Sequence, residues 1–156
     1  MFEYRQAQDL HGTFAKFGVQ YLFLGKSAAI LLGFPDTTQD VDLFPRKSVA
    51  NGKAIIAALR SLGFDLSDDQ AAEIERGKDF VQVRNGPFDV DLIFAPDGIE
   101  TFDEAWSRHI EVESLPVCHP DDVIASKKAA NRAKDLESLP RLIAFRDYWR
   151  KNLKKS

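Results

Sequence analysis

Two short stretches, Asp40-Val41-Asp42-Leu43-Phe44 and Phe88-Asp89-Val90-Asp91-Leu92-Ile93, alternate carboxylate and hydrocarbon with a period of two. That is the strand period: residues two apart share a face, so Asp40 and Asp42 project together while Val41 and Leu43 turn to a core. Each stretch therefore sets two like charges side by side. The carboxylates repel one another and lose hydration beside an apolar strand, which is costly without compensation. Taken alone, either motif reads most simply as a solvent-facing pair. Two in one chain go further: if the strands are neighbours, Asp40, Asp42 and one of Asp89 or Asp91 converge. A divalent cation supplies the compensation, and oxygen donors suit Mg²⁺ or Mn²⁺ rather than zinc. Two such ions about 3.5–4 Å apart clamp the entering and leaving oxygens of a phosphoryl transfer. On the rival reading, Asp89 closes a hairpin turn and Asp91 faces water.

The rest of the chain supplies elements around these strands. Residues 5–17 form an amphipathic helix with Leu10, Phe14 and Phe17 on one side, ending near Gly18. A buried strand, 19–24, stops at Gly25, and a small-residue helix, 27–32, ends at Gly33 and Pro35. Residues 48–62 read as helix. Strands 80–84 and 88–94 flank Asn85-Gly86-Pro87 as a hairpin. A short helix at 102–108 and a further strand at 111–117 follow. Pro120-Asp121-Asp122 is a helix start, with proline first and acids in the opening turn. Helix continues through 123–132 and through 136–153 despite Pro140. The order α-β-α-β-α-β-β and then helices predicts an α+β (mixed α/β) fold, a small mixed sheet with flanking helices, rather than a doubly wound parallel one. With 156 residues, one domain spanning 1–156 is expected, with 120–156 as its C-terminal helical portion.

Several classes are excluded. One cysteine, Cys118, rules out an internal disulfide framework and a Cys-based zinc cage. His11, His109 and His119 lack metal-like spacing and read as surface residues, while Trp106, Trp149 and most phenylalanines read as core. The start, Met1-Phe2-Glu3-Tyr4-Arg5-Gln6, lacks the order of a signal peptide, and no apolar stretch approaches the roughly 20 residues of a membrane span. A soluble, cytoplasmic protein without membrane partners is expected. The net charge of −3 excludes a histone-like chain, but it conceals an asymmetry: residues 121–156 carry +5 and the remainder −8. Arg141, Arg146, Arg150, Lys151, Lys154 and Lys155 either track an RNA backbone or simply favour a helix carboxyl end.

Gly25-Lys26-Ser27 contains Gly-Lys-Ser but is no P-loop, because the required upstream glycine position holds Gln20. What remains is a strand, a tight glycine turn and a helix start, a natural place for phosphates.

Taken together, Leu24-Gly25-Lys26-Ser27-Ala28, Gly33, Thr38 and Asp40-Val41-Asp42 resemble the nucleotidyltransferase superfamily related to DNA polymerase β. Thirteen residues separate Gly25-Lys26 from Asp40, within the customary spacing. Val90-Asp91-Leu92-Ile93 looks like the strand providing the third carboxylate, with Asp89 in reserve. Pro120-Asp121-Asp122-Val123-Ile124-Ala125-Ser126-Lys127 and Arg132-Ala133-Lys134-Asp135-Leu136-Glu137-Ser138-Leu139 are similar to two helical segments of small bacterial members, including abortive-infection and toxin–antitoxin toxins. Two departures stand out: Lys26 occupies the second glycine/serine position, and Asp36 stands where a basic residue is common.

The resemblance implies Mg²⁺- or Mn²⁺-dependent transfer of an NMP group from an NTP, ATP among them, to an acceptor hydroxyl on RNA (tRNA included) or protein. Asp40, Asp42 and Asp91 would be the catalytic and metal residues, and Gly25, Lys26, Ser27 and Lys127 would bind the nucleotide. A toxin or phage-defence role would add a cognate antitoxin as partner. The alternatives are an inactive nucleotide- or partner-binding module of the same family and a metal-dependent nuclease.

Overall fold

Val41, Leu43, Val90 and Leu92 are completely buried, and the need to hide them on one face sets the register of the central strands. Each contributes about 1.5–3 kcal/mol by leaving water. A one-residue slip would drive Asp40, Asp42, Asp89 and Asp91 into the core instead.

The computed structural model describes residues 1–153. Helix α1 (Tyr4–Lys16) leads into β1 (Tyr21–Leu24), α2 (Gly25–Leu31) and β2 (Asp40–Pro45). Two helices, α3 (Val49–Ser61) and α4 (Asp68–Glu75), precede β3 (Phe80–Val83) and β4 (Asp89–Ile93). Then come α5 (Phe102–Arg108), β5 (Ile110–Val112), β6 (Leu115–Val117), α6 (Pro120–Ala130) and α7 (Ala133–Tyr148), which runs on as a π-helical turn, Trp149–Leu153. The six strands form one sheet in the order β3-β4-β2-β1-β6-β5. β2 lies parallel to β4 and β1 parallel to β6, whereas the other neighbours are antiparallel. The fold is α+β with a mixed sheet.

Three elements differ from the expectation. Residues 68–75 are helical although only Ile74 among them is buried, so the apolar period that marks a helix is absent; Ser67 starts it by accepting a hydrogen bond from the Gln70 N–H, with Asp68 and Asp69 in the first turn. Segment 110–117 is a hairpin rather than one strand. Its turn residues Glu113 and Ser114 are both left-handed, at φ 48° and 73°, without the asparagine or glycine that usually announces such a turn. Helix α2 starts at Gly25 itself, two residues early.

Phe14, Phe23, Ile55, Leu59 and Ile74 fill the main core with the inward residues of β2 and β4. A smaller core of Ala29, Phe34, Ile124, Leu139 and Leu142 ties α6 and α7 to α2. The C-terminal helices are thereby anchored to the helix that follows β1, beside the carboxylate-bearing face.

Candidate active site

β2 and β4 pair with Asp40 opposite Asp89 and Asp42 opposite Asp91. Register partners share a face, so the four carboxylates stand on one side of the sheet. A cleft of about 270 Å³ opens above them, lined by Asp40, Asp42 and Asp91 but not by Asp89. Burial, and then the charge of Asp91, push the Asp42 carboxyl up to about 7, with Lys127 pulling the other way. Burial also raises Asp91, opposed by Arg84. Asp91 Oδ1 is buried and accepts no aligned hydrogen bond, although Arg84 Nη2 lies 2.8 Å away.

The glycine turn explains how Asp42 fits. Gly25 has φ +63°, and a Cβ there would lie 2.1 Å from Asp42 Oδ2. Only glycine tolerates both the conformation and the contact. Ser27 is buried beneath the turn: its hydroxyl donates to the Leu24 carbonyl at 2.8 Å and accepts from the Asp42 N–H at 3.2 Å. It stitches β1 to β2 and is not among the cleft-lining residues. Lys26 does line the cleft, and its ammonium pairs with Asp36 at 3.3 Å. Lys26 and Asp36, the two positions at which the sequence resemblance breaks, are thus partners of one another, joined by Arg141 at 3.4 Å from Asp36.

The opposite wall comes from α6 and α7. Fully buried Asp135 accepts from Arg132 Nε at 2.6 Å and from Lys127 Nζ at 3.4 Å. Burial opposes its charge, but the Arg132 hydrogen bond and Lys127 outweigh this and hold the carboxyl below the usual range. Lys127 is therefore no solvated helix lysine: its side chain is 15% exposed and shares the cleft with Asp42.

No family model matches the chain, and no curated protein matches it in sequence. Among solved structures it is similar to the antibiotic-resistance factor ANT(2'')-Ia, with a TM-score of 0.55 at 14% identity over 97% of this chain and 95% of the other. The chain shares the fold of that resistance factor. A candidate nucleotidyltransferase from Thermotoga maritima superposes with a TM-score of 0.48 at 13% identity, over 97% of each chain.

Within this fold, sequence reasoning overlooked Arg84, Arg132 and Asp135 as parts of the site. The latter two lay in the Arg132–Leu139 segment already singled out. Arg84 had a signal too: Val81 and Val83 face inward, so the strand period turns Phe80, Gln82 and Arg84 to the carboxylate face. Phe80 and Trp106 are exposed rather than core. His119 caps α6, accepting from the Asp121 N–H at 3.0 Å, and Cys118 is buried with its thiol pushed up by burial.

An all-oxygen carboxylate set fits Mg²⁺ or Mn²⁺, and the unaligned Asp91 Oδ1 and costly Asp42 charge are what a cation would relieve. Among the described residues, no three His, Cys, Asp or Glu side chains form a ready coordination set. A second cavity of about 240 Å³, under His11, Tyr21, Arg46 and Trp106 at the other end of β1, contains no carboxylate. No helix of the described residues is long and apolar enough to cross a membrane.

Proposed function

We propose that the chain is a metal-dependent nucleotidyltransferase that moves an NMP group from an NTP to an acceptor hydroxyl and releases pyrophosphate. The observation that carries this reading is the register of Asp42 against Asp91 in a cleft whose other wall is Lys127 and Arg132. Asp40, Asp42 and Asp91 are the donors for Mg²⁺ or Mn²⁺, whose charge when bound offsets that of the triphosphate and of the acceptor oxygen. Gly25 leaves room for Asp42, and Ser27 fixes its backbone. Lys26, Lys127 and Arg132 bring positive charge to the phosphates, and Asp135 aims the latter two. The protein's contribution is positioning and electrostatics, with no covalent step on a side chain.

The acceptor in this reading is a hydroxyl of RNA, tRNA included, or of protein, as in a toxin–antitoxin or phage-defence pair. The basic end gives RNA limited support, since Arg146 and Arg150 are drawn to Asp121 at 2.6 and 3.0 Å. An inactive nucleotide-binding module is the second reading, favoured by the Lys26–Asp36 pair, which ties up a phosphate-binding cation.

The test is incubation with each labelled NTP, Mg²⁺ and RNA, protein or antibiotic acceptors, with Asp42→Asn as control. Antibiotics belong in the set because ANT(2'')-Ia is an antibiotic-resistance factor. Label transfer lost in Asp42→Asn supports the enzyme. Nucleotide binding without transfer supports the module, strand scission without label a nuclease, and neither binding nor transfer defeats the proposal.

A further inference from the structure

Arg84 leaves the end of β3 and lays its guanidinium along the carboxylate face. Its Nη2 is 2.8 Å from Asp91 Oδ1 and 3.8 Å from Asp40 Oδ2, and its Nε is 3.9 Å from Asp89 Oδ2. Its Nη1 donates to the Val90 carbonyl at 3.2 Å and weakly to that of Val83 at 3.5 Å. Nη1 and Nη2 have close partners while Nε keeps only the 3.9 Å charge contact, and the two Nη1 contacts are to the backbone of the strands that carry it. Such a group is a fixture of the sheet rather than a swinging arm. Of the four aspartates on this face, Arg84 reaches three, leaving Asp42 as the one it does not touch.

We propose that Arg84 is a resident cation occupying the place beside Asp91 that a second metal ion would take, so that the site holds one divalent ion, drawn by Asp40 and Asp42. This rests on the nucleotidyl-transfer reading and revises it at one donor: Asp91 binds the guanidinium rather than a metal ion. A guanidinium and a divalent cation cannot share the buried oxygen Asp91 Oδ1, because two positive charges would meet at one atom. Arginine is charged at every working pH, so the place is filled whether or not substrate is present. On the Asp91 side, the fixed positive charge of the guanidinium then stands near the developing negative charge in place of a Lewis acid.

The experiment counts Mn²⁺ per chain in the presence of a non-hydrolysable NTP analogue, by calorimetry and by electron paramagnetic resonance. The wild type should bind one Mn²⁺ with an uncoupled spectrum. Arg84→Gln should bind two, and ions about 3.5–4 Å apart would show spin coupling. Arg84→Lys, which keeps the charge, should stay at one. Asp91→Asn should also stay at one, and this variant answers the question even if Arg84→Gln fails to fold. Two ions in the wild type, falling to one in Asp91→Asn, would overturn the assignment, as would a folded Arg84→Gln with one. No Mn²⁺ bound to the wild type at all would defeat the nucleotidyl-transfer reading itself, an outcome distinct from a count of two.

Discussion

Asp42 lies against the bare α-carbon of Gly25, opposite Asp91 and in the same cleft as Lys127. Its carboxyl is raised from an ordinary 3.8 to about 7, so the folded protein holds a proton that the unfolded chain releases. The stability this provides is complete below about pH 4 and is lost as pH rises through about 7, a few kcal/mol at most. Asp121 and Asp135, held low in spite of burial by arginine partners, contribute in the opposite sense over the acid range, so the informative quantity is a difference. With a chelator present, the melting temperature of wild type minus that of Asp42→Asn should fall between about pH 4 and pH 7.5, and Mn²⁺ should restore it; parallel profiles would refute the assignment. Gly25→Ala tests the same contact from the other side. The left-handed backbone costs an L side chain about 1 kcal/mol, and the methyl must displace the Asp42 carboxylate. The expected result is a melting point lower by a few degrees and Mn²⁺ affinity reduced at least tenfold, measured by calorimetry.

At the scale of elements, β2 and β4 were legible because burial of Val41, Leu43, Val90 and Leu92 dictates a period of two in which carboxylates alternate with hydrocarbon. Their adjacency was not legible, since pairing partners are decided by packing across the whole sheet. Helix α4 escaped because its stability comes from the Ser67 cap and one buried isoleucine rather than from an apolar stripe. The β5–β6 hairpin escaped because Glu113 and Ser114 adopt left-handed angles without the usual residues. That misfit predicts its own repair: Ser114→Gly should raise stability by about 0.5 kcal/mol, the relief of strain being partly offset by a more flexible unfolded chain, and a urea titration would read it. The α6–α7 pair carries the opposite kind of prediction. Asp135 is fully buried and holds both Arg132 and Lys127, so Asp135→Ala should cost about 2 kcal/mol, moderated because Arg132 can turn to water. Nucleotide affinity should drop with it as Lys127 loses its anchor, whereas a loss of stability alone would make Asp135 purely structural.

Across the whole molecule, an acidic first part and a basic last part of the sequence are folded onto each other. Lys127, Arg132 and Lys134 line the same cleft as Asp40, Asp42 and Asp91, and Arg141 pairs with Asp36, whereas Arg146 and Arg150 pair with Asp121 within the basic part itself. Lys154 and Lys155 lie outside the described residues. On the proposed nucleotidyl-transfer reading, the cations concentrated at the cleft, and not the basic end as a whole, are the ones expected to meet a triphosphate. Charge-assisted contacts of this kind weaken with ionic strength, and each is worth about tenfold in affinity. Lys127→Ala should therefore weaken nucleotide binding about tenfold at low salt and flatten its dependence on salt. The double variant Arg150→Ala with Lys151→Ala should leave both the affinity and the slope unchanged, because Arg150 is paired with Asp121 and Lys151 is absent from the cleft lining. Nucleotide titrations at a series of salt concentrations separate the two cases. A slope that follows Arg150 and Lys151 rather than Lys127 would move the phosphate contacts to the carboxyl end and away from the aspartate face.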